Sequence, residues 1–167
     1  MDFERLYRNT YRRILGTLIT VLGDKAAAED CAQDTYERAY RAWSSWRAEA
    51  PVEAWLHRIA INVAVSDRRR VRLRQPGELV RRLGRPSPPP DPTGLAESSD
   101  LIRALRKLPT KQAAALVLRH FHGYSNREIA AALGVPDQTV ASRLATARKQ
   151  LQVALNDTRE QRLVDPA

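Results

Sequence analysis

Residues 125–151, SNREIAAALGVPDQTVASRLATARKQL, decide how this chain folds. Ser125 precedes Glu128 by three positions, the spacing at which a hydroxyl and a carboxylate cap each other's backbone amides, so a helix is expected to start there. Gly134 suits the left-handed residue that ends a helix, and Pro136 with Asp137 can open the next one. In that second helix Val140, Leu144, Ala147 and Leu151 recur at three- and four-residue steps and form a buried stripe. Thr139, Ser142, Arg143, Thr146 and Lys149 are left on the opposite face. A short capped helix, a glycine turn and a longer polar-faced helix make a helix-turn-helix. Its second helix fits a DNA major groove, where hydroxyl and guanidinium groups bond base edges and phosphates. An ordinary solvated face would carry the same stripe; the tight turn beside it favours DNA.

Upstream, the helical pattern runs through Leu101, Leu105 and Leu108, breaks at Pro109, and resumes through Ala113, Leu116, Val117 and Phe121. Residues 75–97 contain PGE and GRPSPPPDP with few apolar side chains, and cannot bury enough surface to fold alone; they read as a linker. Before it, Phe3, Tyr7, Tyr11, Ile14, Leu18 and Leu22 mark a helix over residues 2–22 that ends at Gly23. Ala28, Ala32, Thr35, Ala39 and Ala42 mark a second, with Glu29, Asp30, Asp34, Arg38 and Arg41 on its remaining surface. After a break at residues 44–50, Pro51 opens a third, with Val52, Trp55, Leu56, Ile59 and Val63 inward and Arg58, Asn62 and Arg69 outward. There is no period-two alternation and no fixed repeat, so the expected fold class is all-α. Two small helical domains, residues 1–74 and 98–155, are joined by the linker and followed by a tail, 156–167, expected to be disordered.

The formal charge of +9 attracts polyanions, either nucleic acid or an anionic membrane. No apolar run approaches the roughly 20 residues of a membrane span, and the first residues lack the apolar block of a secretion signal. A cytoplasmic protein without membrane insertion is expected. Cys31 is the only cysteine and there are three histidines, which excludes an intrachain disulfide and a cysteine-cluster metal site; no metal or cofactor is expected. His120 and His122 flank Phe121 and point to different sides of a helix. Cys31, beside the apolar stripe, reads as a small buried hydrophobe. No nucleophile with a base and no glycine-rich phosphate loop occurs, so no enzymatic activity is expected. Arg68, Arg69, Arg70, Arg72 and Arg74 form a dense basic end on the third helix, near Trp43, Trp46 and Trp55. Cations with aromatics suit single-stranded DNA. The alternatives are that the tryptophans close the helical bundle and the arginines are a solvated helix end.

The order of these pieces resembles the extracytoplasmic-function (ECF) sigma factors of bacterial RNA polymerase. AAAEDCAQDTYERAYRAW is similar to the family's polymerase-clamp-binding helix, EAWLHRIAINVAVSDRRR to its promoter-melting and -10-reading helix, and residues 108–151 to its -35-reading domain. The resemblance implies region 2, a linker and region 4. It places Asp30, Gln33, Asp34, Arg38 and Arg41 against core RNA polymerase, through the β′ clamp, with the β flap as a further contact. It places Trp46, Arg47, Arg58, Asn62, Arg68, Arg69 and Arg70 at the -10 element, and Gln138, Thr139, Ser142, Arg143, Thr146, Arg148 and Lys149 at the -35 element. Promoter DNA and an anti-sigma factor are the further partners it implies. Pro136 and Ala141 depart from the serine and basic residue common in the family. The rival readings are a helix-turn-helix regulator that never joins polymerase and an adaptor that uses its charge only for solubility.

Two promoter elements about two helical turns apart lie roughly 70 Å from each other. A 23-residue linker fully extended reaches roughly 75–80 Å, whereas a flexible one averages about 25–30 Å. The free protein is therefore expected to be partly closed and to bind promoter DNA poorly until polymerase separates its domains.

Overall fold

The computed structural model describes residues 2–73 and 95–164, all helices and turns. Helix α1 spans Phe3–Leu22 and ends at Gly23, whose φ of +64° lets its amide reach back to the Ile19 carbonyl at 2.7 Å. Asp24 caps α2, Lys25–Ala42, by accepting from the Ala27 amide at 3.1 Å. A single 3-10 turn, Trp43–Ser45, leads to α3, Val52–Leu73, in whose first turn the Ala54 and Trp55 amides bond the Pro51 carbonyl. Most of the expected linker, and Arg74, lie outside the described residues. Helix α4, Leu95–Lys107, begins three residues before the expected boundary; α5 is Thr110–His120, α6 is Asn126–Leu133 and α7 is Asp137–Val164.

The first three helices enclose Leu6, Ile14, Leu18, Leu22, Ala28, Ala32, Tyr36, Leu56, Ala60 and Val63. Each fully buried leucine or isoleucine contributes about 1.5–3 kcal/mol by leaving water. Ala28, Ala32 and Ala39 let α2 lie close to its neighbours, with Tyr36 its one large buried side chain. Cys31 is buried, and burial, followed by the carboxylates of Asp67, Asp34 and Asp30, pushes its thiol up to about 12. That is the inert small hydrophobe its position suggested.

The C-terminal helices gather around Leu105, Leu116, Leu118, Ile129, Leu133, Val140 and Leu144, and this core continues into α1 and α3 through Val21, Ala54 and Ile61. The two helical units are thus packed together, as the partly closed expectation required. Two expectations fail. Phe121 sits one residue past α5 and is 78% exposed, because the helix stops at His120 and the chain turns there. Residues 156–164, expected to be disordered, continue α7 without a break. No glycine or proline interrupts them, and Thr158, fully buried with its hydroxyl on the Ala154 carbonyl at 2.7 Å, holds this last stretch down.

Candidate nucleic-acid interface

The helix-turn-helix forms as its residues dictate. The Ser125 hydroxyl accepts from the Glu128 amide, and the Glu128 carboxylate accepts from the Ser125 amide at 2.8 Å. These bonds to Ser125 hold the Glu128 carboxyl below the ordinary glutamate range. Gly134 turns the chain at φ +65°, and the Thr139 amide bonds the Pro136 carbonyl as α7 starts. Val140, Leu144 and Ala147 are buried and Leu151 packs against them. Gln138, Thr139, Ser142, Thr146, Arg148 and Lys149 are exposed, and Arg143 is half-buried. Thr139, Ser142, Arg143 and Thr146 share one wall of a cleft of about 730 Å³. Gln138 and Arg148 lie outside its lining, and Lys149 faces a separate groove with Lys107, Val153 and Asp157.

The opposite wall of that cleft is the arginine end of α3: Arg68, Arg69 and Arg72, with Lys107 and Lys111 at its edge. Arg68, expected in the basic helix end at the -10 element, is turned toward the C-terminal unit. Its guanidinium donates to the Leu108 carbonyl at 3.1 Å, the Thr110 hydroxyl at 3.3 Å and the Arg106 carbonyl at 2.7 Å. Burial, then the neighbouring Arg106 and Arg72, lowers its pKa, and the carbonyl and hydroxyl acceptors offset the desolvation of a guanidinium that stays charged. In this arrangement Arg68 is a clamp between α3 and the α4–α5 corner. Arg69 and Arg70 remain exposed.

Asn62 is exposed on α3. Arg58, one turn earlier, lies against the Gly134 turn: a Cβ built there would stand 3.5 Å from the guanidinium. Trp43 and Trp46 stack in parallel at 5.5 Å, with Trp55 tilted 6.1 Å from Trp43. All three are half-buried, so Trp55 is less enclosed than its stripe suggested, and Arg47 beside them is exposed.

Helix α2 presents the acidic face. Asp30, Gln33, Arg38 and Arg41 are exposed, and Asp34 receives two bonds from Arg38 at 2.8 and 2.9 Å. Gln33 donates to Glu37 at 3.2 Å. Sequence reasoning missed the aromatic half of this surface: Tyr7, Tyr11, Tyr36 and Tyr40 line a second hollow of about 730 Å³ with Glu29, Asp30, Gln33 and Glu37. The four-residue spacing of each tyrosine pair was the signal available. His57 and Tyr124 were also missed; both are buried where the two units meet.

Two family models match the chain, sigma-70 region 2 over residues 6–74 and sigma-70 region 4 over residues 98–151. They define the class: a transcription initiation factor of the sigma-70 type. The ECF RNA polymerase sigma factor SigM of Mycobacterium tuberculosis is 34% identical over 150 residues, covering 89% of this chain and 74% of that protein. The RNA polymerase sigma factor YlaC of Bacillus subtilis is 30% identical over 165 residues, covering 96% and 95%. Among solved structures, the sigma factor RpoE of Bartonella quintana, in complex with the anti-sigma factor NepR, is 28% identical with a TM-score of 0.72, covering 93% of this chain and 97% of that one. CnrH, in complex with the cytosolic domain of CnrY, is 26% identical with a TM-score of 0.63, covering 93% and 88%. The chain belongs to the ECF family of RNA polymerase sigma factors, and it directs promoter-specific transcription initiation. No described helix is long and apolar enough to cross a membrane.

Proposed function

We propose a division of labour among three helices. The α2 face bearing Asp30, Gln33, Asp34, Arg38 and Arg41 docks on core polymerase. Helix α3, with Arg58, Asn62 and Arg68–Arg70, and the Trp46–Arg47 turn take the -10 element. Helix α7, with Gln138, Thr139, Ser142, Arg143, Thr146, Arg148 and Lys149, takes the -35 element. Residues 1–74 form region 2 and 98–155 region 4. The factor works in the cytoplasm and adds no catalytic group of its own. Trapping a flipped base in a fixed pocket costs a few kcal/mol of unstacking, recovered in contacts to its exposed edge, so strand opening needs no ATP.

One observation carries this reading and its regulation: the -35 face and the -10 arginines look at each other across a single cleft. A recognition helix works by entering a groove about 12 Å wide and 8.5 Å deep, so duplex must pass on both sides of it. Arg68, Arg69 and Arg72 stand where that duplex would run. The closed factor is therefore inactive at promoters, core polymerase opens it, and an anti-sigma factor is the partner that keeps it closed.

The test is reconstituted transcription from genomic fragments with core polymerase and this chain. RNA starts at discrete sites are expected; none, with folded factor and active core, contradicts the reading. Asn62→Ala is expected to reduce strand opening, read as permanganate-reactive thymines, with core binding retained. Asp34→Arg is expected to weaken core binding first.

A further inference from the structure

The interface between the two units contains a polar cluster that the promoter and polymerase contacts do not use. Thr17 of α1, His57 of α3, and His122 and Tyr124 of the α5–α6 turn meet there, and His57 is only 1% exposed. Arg13 Nη2 lies 3.5 Å from His122 Nδ1, and His122 Nε2 lies 2.7 Å from Thr17 Oγ1. Thr17 Oγ1 lies 3.2 Å from His57 Nε2. His57 Nδ1 lies 2.9 Å from the Glu53 carbonyl oxygen and 3.0 Å from Tyr124 Oη.

Donor and acceptor rules fix the protons along this chain. A guanidinium only donates, so His122 Nδ1 is bare and its Nε2–H donates to Thr17. A carbonyl only accepts, so His57 carries its proton on Nδ1. The remaining His57 Nε2 then accepts from the Thr17 hydroxyl. One arrangement with both imidazoles neutral satisfies each of these links, with the single Thr17 proton turned to His57 and away from the Arg13 carbonyl 3.0 Å off, and the links tie α1 and α3 to the C-terminal unit.

A proton added to His57 Nε2 would not break the geometry, because Thr17 can turn its hydroxyl to the Arg13 carbonyl, 3.0 Å away. It would place a second cation in a buried site beside Arg13. The charged and titratable groups around the cluster are Arg13 on α1, Glu53 on α3, His122 and Tyr124 on the turn and Glu128 on α6. Both carboxylates are already engaged: Glu53 by Arg13 at 2.6 Å, Glu128 by Ser125 at 2.8 Å. No spare anion among them compensates a histidinium.

We infer that the neutral His57–Thr17–His122 chain is a latch between the two units, and that uptake of protons by these histidines opens the free factor. Burial, assisted by His122 and Arg13, pulls His57 down to about 3, and burial with Arg13 lowers His122 as well. An exposed histidine titrates near 6.5, so closure has its full support above about pH 6.5 and loses it as pH falls from there toward about 3. Acid would act on the closed state even with polymerase and promoter absent, so this inference stands or falls separately from the function proposed above.

The experiment counts open and closed molecules of the full chain by single-molecule energy transfer, with dyes on Arg12→Cys and Gln161→Cys in a Cys31→Ala background. Between pH 7.5 and pH 5.5 the open-to-closed ratio is expected to rise about tenfold or more, with helical ellipticity unchanged. The rise should shrink in His122→Gln and vanish in the double variant His57→Gln/His122→Gln. If the double variant does not fold, His122→Gln alone decides. An unchanged ratio in the parent chain, an equal rise in His122→Gln, or molecules already open at pH 7.5 would each overturn the latch.

Discussion

The contact inside the N-terminal unit and the contact between the two units share helix α3, yet they are built from different materials. Toward α1 and α2, α3 offers Leu56, Ala60, Val63 and Ala64, and the far side answers with Leu6, Ile14, Leu18 and Ala32. Toward the C-terminal unit it offers Ala54 and Ile61, and beside them His57, Arg58 and Arg68. Gly23 comes so close to Arg106 there that a Cβ would stand 2.1 Å from its side chain. The first contact has polar links too, Thr10–Tyr36 and Arg13–Glu53, but it is dominated by large apolar side chains and is costly to open, because each of them returns to water. A contact of small apolar groups, guanidinium-to-carbonyl bonds and imidazoles can exchange its partners for water at modest cost. The first contact is permanent and the second is made to be undone, as a factor that must reach two separated promoter elements requires.

That contrast can be broken by substitutions on each side of α3. The largest effect is expected inside the cores: Leu56→Ala or Leu118→Ala should cost about 2–5 kcal/mol, seen as a lower urea midpoint for the unit concerned. Arg68→Ala should leave both unfolding midpoints nearly unchanged. It should shift closure by about 1.5–3 kcal/mol, the scale of hydrogen bonds to a charged group, read as a rise in the open population. A drop of several kcal/mol in either midpoint would make Arg68 part of a permanent core. Ser125→Ala should lose about 0.5–2 kcal/mol from the C-terminal unit alone, because one side of the capping box goes. The smallest effect on stability belongs to Asp34→Ala. Its exposed pair with Arg38 is worth about 0.3–0.5 kcal/mol, while affinity for core polymerase, measured by fluorescence anisotropy, should fall clearly.

Much of this was legible in residues 125–151, where capping, glycine turn and stripe agree with one another. The cores of α2 and α7 followed from spacing because each apolar stripe meets its own unit. The α1 stripe was read correctly at Ile14, Leu18 and Leu22 but left out Leu6 and Val21, which are buried, while Tyr7 is partly exposed, because aromatic residues fit the rim of a helix pair as well as its centre. The tail was misread because a terminal segment without a recognisable motif was taken for disorder, although residues 156–164 continue the helix, with Thr158 buried on the Ala154 carbonyl. The roles of His57, His122 and Arg68 were invisible. Apart from the Glu53 carbonyl beside His57, their partners lie between 38 and 109 positions away in the chain, and no local period reports a contact made by docking. The candidate contact residues on α7 and α2 were legible as exposed faces, but their division between promoter and polymerase came only through the resemblance.

The central claim, a factor closed when free and opened by polymerase, is tested most directly by one distance. Spin labels on Arg12→Cys and Gln150→Cys, in a Cys31→Ala background, should report a short, narrow separation in the free chain. On binding core polymerase the separation should lengthen toward the roughly 70 Å that two helical turns of promoter demand. The same distance in both states, with the complex transcriptionally active, would contradict the account.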